Sequence, residues 1–254
     1  VYKRQINMCL IKTYKKKYFT AILFYFFVNA CFGSNLIFKE KIVYNKESLE
    51  NKVKIIEFSD DVKFKHIKFS NIIPNIFTKK INHISIDVNN SSSFLIIPFE
   101  DIVTTNKVSF FWKSEGFLNI KDKDHEKTKS GDDAILRIGL IITKNENKKF
   151  VDTIFGKPGW LRDVEKTLFY KADNLIYLLP KTKNKYPESW DSPYSSLIKM
   201  IPTKTKFFSD DWNNSNITLK KNYRVAGLII MADGDNTNSK FETQIKSIIL
   251  ALKN

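Results

Sequence analysis

The sequence predicts an all-β fold: an antiparallel β-sandwich or jelly roll, galactose-binding-like, with a short helical insertion. Three observations predict it. Short runs of β-branched and aromatic residues recur from residue 54 onward, polar turns separate them, and amphipathic helices do not intervene. Several of the runs alternate apolar and polar residues strictly, as a sheet with one buried face requires. An apolar content of 43% in 254 residues supplies the side chains for a sizeable core.

Taken in order, the first 34 residues read as an address. Lys12, Lys15, Lys16 and Lys17 precede an apolar stretch from Tyr18 to Ala30 and then small residues, which is the order of a secretory signal. Such a stretch rises only about 20 Å as a helix, too short to span a bilayer comfortably. Met8 is the expected initiator, and the residues upstream of it are set aside as artefactual. Residues 1–34 are therefore expected to be a signal peptide with that upstream addition. Residues 35–254 are expected to be a single β-sandwich domain, periplasmic or secreted from a bacterium. Cys31 follows Val28, Asn29 and Ala30 in a loose resemblance to a lipobox, so contact with a membrane is expected only through the signal peptide or through lipidation at Cys31. Cys9 lies in the basic region that export removes. No disulfide framework is then available, and stability must come from the core.

At least eight strands are expected, from the candidates KIIEF (54–58), HISIDV (83–88), SFLIIPF (93–99), KVSFFWKS (107–114), AILRIGLIIT (134–143), NLIYLLP (174–180), SLIKMIP (196–202), YRVAGLIIMA (223–232) and IKSIILAL (245–252). Strands at this spacing without helical crossovers favour a sandwich. One segment breaks the pattern. In WLRDVEKTLFYKA (160–172), Leu161, Val164, Leu168 and Phe169 recur at helical spacing, so this segment is expected to be a helix packed on the sandwich.

The formal charge of +15 shrinks on inspection. The first 34 residues hold six basic residues and no acid, so the remainder carries 36 basic against 27 acidic residues, an excess of +9. Most of that excess is lysine scattered among asparagine, as on a solvated surface. No basic helix and no aromatic-basic recognition motif accompanies it, and nucleic acid is not the expected partner. Attraction to anionic glycans or lipid headgroups stays open.

Two blocks place charge where strands should be apolar. In the first, Ala134, Leu136, Ile138, Leu140 and Ile142 share the core face, while Asp133, Ile135, Arg137, Gly139 and Ile141 share the other. Asp133 and Arg137 thus point to one side, and charge there needs a partner or water, which suggests a partly covered concave surface. In the second, the apolar strand of residues 223–232 runs into Asp233, Gly234, Asp235, Asn236 and Thr237. Gly234 permits a positive φ, and Asp and Asn cap turns through their own downstream amides.

KSGDDAILRIGLII (129–142) together with YRVAGLIIMADGDNTNSKFETQIKSIIL (223–250) resembles the secreted bacterial proteins of domain-of-unknown-function family 3047. Lys129, Gly131, Asp132, Asp133 and Arg137 match that family's first block, and Met231, Asp233, Asp235, Asn236 and Thr237 its second. FFWKSEG (110–116) looks like its paired-aromatic strand. Ala232 and Phe110 depart from the pattern, and the segment around Trp160 has no counterpart in it. The resemblance implies a periplasmic or secreted sandwich similar to galactose-binding jelly rolls, and no established activity.

Three chemistries suit these residues. Asp233, Asp235 and Asn236, with Asp132 or Asp133, offer hard oxygen ligands for Ca²⁺, although the spacing is not that of an EF-hand. Turn capping and an ion pair to Arg137 would use the same side chains. Sugar binding would pair Asp132, Asp133, Arg137, Asp233, Asp235 and Asn236 with an aromatic platform, Trp112 foremost among Phe110, Trp160, Trp190 and Trp212. Hydrolysis would need two opposed carboxylates, such as Asp133 with Asp233 or Asp235. The three histidines and the absence of nucleophile, phosphate-loop and zinc-ligand motifs supply no catalytic residue. The expected function is a noncatalytic binding module for glycan or cell-envelope material. The alternatives are a carboxylate-dependent polysaccharide hydrolase or lyase, and a structural envelope protein.

Overall fold

A computed structural model describes residues 41–44, 52–58, 62–122, 124–144, 146–147, 159–180, 189–206 and 212–253. The expected signal peptide and Cys31 lie outside the described residues. The described residues form an all-β sandwich of twelve strands, with one helix and one short 3-10 turn: β1 Lys41–Tyr44, β2 Lys52–Glu57, β3 Lys65–Lys68, β4 Ile76–Lys79, β5 Ile84–Asn89, β6 Ser92–Phe117, β7 Ala134–Ile142, α1 Gly159–Thr167, β8 Asn174–Pro180, β9 Trp190–Ser192, β10 Ser195–Lys206, β11 Asn213–Asp233 and β12 Lys240–Leu252. No described helix is long and apolar enough to cross a membrane.

Three long strands organise the fold. The path of hydrogen-bonded neighbours runs β1-β2-β12-β6-β11-β7-β8-β10-β9, with β3 on β6, β4 on β5 and β5 on β12. The first part of β6 pairs with the end of β11, Pro98 opposite Gly227 and Ser92 opposite Asp233, and its later part pairs with the start of β11 and with β12. Register shifts at Thr218/Tyr223 and Val225/Gly227 let β11 bend there, and β6 follows it. The bent strands carry the chain from one layer to the other, so β12 meets β7 and β11 meets β5 face to face without pairing. The runs expected as separate strands at 93–99 and 107–114 are therefore halves of one strand. Pairing is antiparallel except between β8 and β10, which run parallel, Ile198 opposite Leu175.

The core between the layers is built by alternation. Leu95 and Ile97, Leu136, Ile138 and Leu140, Leu228 and Ile230, and Ile245, Ile248 and Leu250 point into it together with Phe99, Phe110 and Trp112. At roughly 1.5–3 kcal/mol for each fully buried large side chain, this core is the main stabilising term. The opposite face of the first layer buries a second cluster, in which Phe94, Ile96, Ile141, Tyr177, Ile229 and Met231 are covered by Val164 and Leu168. These two belong to α1 and the residue just beyond it. The helix thus packs on the sandwich as its spacing predicts, but it ends at Thr167, about a turn before residue 172.

Ala134 departs from the expected face. Met231 lies opposite Arg137 but Asp233 lies opposite Ala134, so β7 carries one extra residue across this step. The bulge moves Ala134 into the second cluster and turns Ile135 toward the first. It also delivers Asp132 and Asp133 to the end of β11.

Candidate functional site

The two acidic blocks meet. A 3-10 turn at His125–Lys127 leads into the first, held by Asp122 Oδ1, which accepts from the backbone N–H groups of Asp124 at 2.9 Å and His125 at 2.8 Å. Gly131 then passes against the carbonyl of His125, leaving no room for a Cβ. The second block is the corner between β11 and β12, closed by Ser239 N–H donating to the Gly234 carbonyl at 2.9 Å. Its left-handed residue is Asn238, with φ 53°, and not Gly234 as expected. Gly234 is needed for space, because a Cβ would stand 2.7 Å from Val88 Cγ1.

Asp133 joins the blocks. Its Oδ2 accepts from Thr237 N–H at 2.7 Å and Thr237 Oγ1 at 2.6 Å, and its Oδ1 accepts from Asn236 Nδ2 at 3.1 Å and Asn236 N–H at 3.3 Å. Beside it, Arg137 donates through Nη1 to Asp233 Oδ2 at 2.6 Å and through Nη2 to Asp132 Oδ1 at 2.8 Å. The guanidinium also lies over the Tyr177 ring, 5.7 Å from its centroid. Arg137 thus pairs with Asp132 and Asp233, while Asp133 is held by Asn236 and Thr237.

This geometry corrects the expected ligand surface. Asp133 is fully buried, and Asp132, Arg137 and Asp233 are all at most 5% exposed, so these four side chains support the corner from beneath and do not line a concave face. Only Asp235 and Asn236 reach solvent, both half-buried. Trp112 is corrected as well: it sits in the main core, 3% exposed, and donates Nε1 to Ser215 Oγ at 2.9 Å, far from any platform role. Phe110 is likewise in the core. Asn236 is not placed as a metal ligand, since its Nδ2 faces the carboxylates, 3.1 Å from Asp133 and 3.4 Å from Asp235, and an amide N–H₂ is a donor. Asp133 takes its place: Asp133, Asp233 and Asp235 each bring an oxygen within 4.8 Å of the other two.

The electrostatics follow from burial. Desolvation pushes the Asp233 carboxyl well above the usual carboxylate range; the pull of Arg137 opposes this, and a hydrogen-bond contact with Asp235 adds to the rise. Asp132 is raised by the same desolvation, again against Arg137. Burial weakens the Arg137 guanidinium, but Asp132 and Asp233 more than restore it, so it stays charged. The Tyr194 phenol, 57% exposed, donates to Lys129 O at 3.3 Å and is itself pushed up, first by burial and then by the nearby carboxylates.

A second feature lies at the other end of β7. A groove of about 1230 Å³ runs beside the C-terminal end of that strand, between β8, β10 and the early part of β11. Lys144, Lys199, Lys220, Lys221 and Arg224 line it, and no carboxylate does among the described residues. Lys199 and Arg224 are tethered to exposed acids outside the lining, Asp191 at 3.0 Å and Glu146 at 2.8 Å. Lys144, Lys220 and Lys221 make no ion pair among the described residues. Tyr223 supplies an aromatic wall, with Lys221 Nζ 5.2 Å from its ring centroid. The sequence signal for this groove is the run LKKNYR (219–224), which charge counting absorbed into a generally lysine-rich surface.

No protein-family model matches the chain, and no curated protein matches it. Among solved structures, the chain has a likeness to the catalytic unit of the thermostable GH87 alpha-1,3-glucanase from Streptomyces thermodiastaticus strain HF3-3, at 8% identity and a TM-score of 0.25. The match covers 76% of this chain and 27% of the glucanase, and it is too low to define a shared fold.

Proposed function

We propose that the protein is an exported, noncatalytic binding module for an acidic glycan of the cell envelope or its surroundings, akin to family 3047, and that the glycan lies in the groove at the end of β7. The observation that carries this reading is the lining of that groove: five cations without a carboxylate among the described residues, beside Tyr223 and an apolar strip that includes Ile201 and Pro202. A sugar ring presents apolar CH faces and hydroxyls, and a uronate or phosphate adds negative charge, so aromatic, amide and ammonium groups suit it together. The hydrolase reading has less support. Its pair needs two accessible carboxylates roughly 5–9 Å apart across a cleft, whereas Asp133 and Asp233 are both buried beneath the corner and Asp233 is held by Arg137.

Affinity electrophoresis in gels containing polygalacturonate or neutral dextran tests the proposal. Retardation is expected in the acidic gel alone and should weaken as salt rises through 0.1 M, since screening shortens the Debye length to about 10 Å. Lys220→Gln with Lys221→Gln removes two exposed contacts of about 0.2–1 kcal/mol each, so affinity should fall by roughly 2- to 30-fold. Equal retardation by both polymers, or none by either, would overturn the reading.

A further inference from the structure

The carboxylate cluster at the head of β7 is a separate matter from the groove, about nine residues and roughly 30 Å away along the strand. Arg137 satisfies one oxygen of Asp233, its Oδ2. The other, Oδ1, is buried and receives no hydrogen bond, in a side chain that is 6% exposed. Asp235, which has only acceptor oxygens to offer when ionised, brings one of them within 4.8 Å of that carboxyl. One oxygen of Asp133 closes the third side, on a carboxylate that Asn236 and Thr237 already hold in place. Three carboxylates thus come within 4.8 Å of one another, Asp233 Oδ1 is buried without a partner, and the two Nη groups of Arg137 are spent on Asp233 Oδ2 and on Asp132.

The geometry points to a divalent cation site, selective for Ca²⁺, held by Asp133, Asp233 and Asp235. Oxygens bound to one Ca²⁺ at about 2.4 Å cannot lie more than about 4.8 Å apart, and these three meet that limit. Asp235 and the turn after it are half-exposed, which leaves the ion room for water as remaining ligands. Mg²⁺ dehydrates reluctantly and takes few protein ligands directly. A buried, unhydrated Asp233 oxygen beside two further carboxylates therefore favours the larger ion. Asn236 Nδ2 bridges Asp133 and Asp235 and holds them as a pair, and Arg137 holds Asp233 from behind. The inference does not depend on glycan binding, because none of these residues lines the groove.

The test uses the purified protein after chelation, with Ca²⁺, Mg²⁺ or Tb³⁺ added alone. Tb³⁺ shares the oxygen preference of Ca²⁺, and Tyr194 beside the cluster serves as its luminescence antenna. Saturable Tb³⁺ luminescence is expected, displaced by Ca²⁺ in the 10⁻⁴–10⁻³ M range of extracellular modules and by Mg²⁺ only at far higher concentration. A hundredfold excess of Ca²⁺ over half-saturation should raise Tm by roughly 5–10 °C. Asp233→Asn risks the fold, so Asp235→Asn is the decisive variant. Its metal-free Tm should stay near that of the parent, while Ca²⁺ affinity drops on the order of tenfold or more. No saturable luminescence, no Ca²⁺-dependent Tm shift, equal response to Mg²⁺, or an Asp235→Asn protein that keeps the full shift would each overturn the inference.

Discussion

Replacing Arg137 with methionine removes the guanidinium that pairs with Asp132 and Asp233 and leaves two carboxylates in a nearly sealed site. Both lost contacts are charge-assisted and short, 2.8 Å to Asp132 and 2.6 Å to Asp233, and Arg137 is only 3% exposed. Water cannot readily substitute for the missing fork. Breaking such a buried pair costs about 3–5 kcal/mol, since it strands uncompensated charge, and for a domain of this size that lowers Tm on the order of 10 °C. Arg137→Lys keeps the charge but cannot serve both carboxylates from separate nitrogens, so about half the loss, roughly 2 kcal/mol, is expected. The triple variant Arg137→Met, Asp132→Asn, Asp233→Asn removes the stranded charges with the guanidinium and should recover to within about 1–2 kcal/mol of the parent. Urea denaturation of chelated protein measures all three. A loss below about 1 kcal/mol for Arg137→Met, or a triple variant no more stable than the single one, would refute the description of this site as a closed ion triad.

Two further outcomes follow from other parts of the fold. Trp112→Phe deletes the bond to Ser215 and leaves a void in the main core, so stability should fall by about 1–2 kcal/mol while retardation in a polygalacturonate gel is unchanged; a variant that keeps its stability and loses glycan would reverse the correction made for Trp112. Burial, helped by Lys68, holds the His66 imidazole below its ordinary value. The unfolded chain therefore takes up a proton near pH 6.5 before the folded one does, and this residue makes stability decline as pH falls through that value. His66→Gln should flatten that part of a stability–pH curve, and an unaltered slope would remove His66 from the account.

Local chemistry made much of this protein legible in its sequence. Alternation and β-branched runs are properties of a few consecutive residues, so the all-β class, the positions of the main strands and the helix near Trp160 could be read without knowing any partner. Charged residues inside apolar strands stood out for the same reason, and the meeting of Asp133 with Asn236 and Thr237 across 103 and 104 positions rewards that signal. What the sequence could not contain is the pairing of distant strands. The bulge near Ile135 exists only because β11 fixes the register of β7, and it decides which face Ala134 joins and where Asp132 and Asp133 arrive. Burial of Trp112, the inward lock of Arg137 and the gathering of five cations around one groove are likewise set by the second layer and by the bends in β6 and β11. Residue type limits what a side chain can do, but its exposure and partners depend on strands far away in the chain, and only the folded structure brings those together.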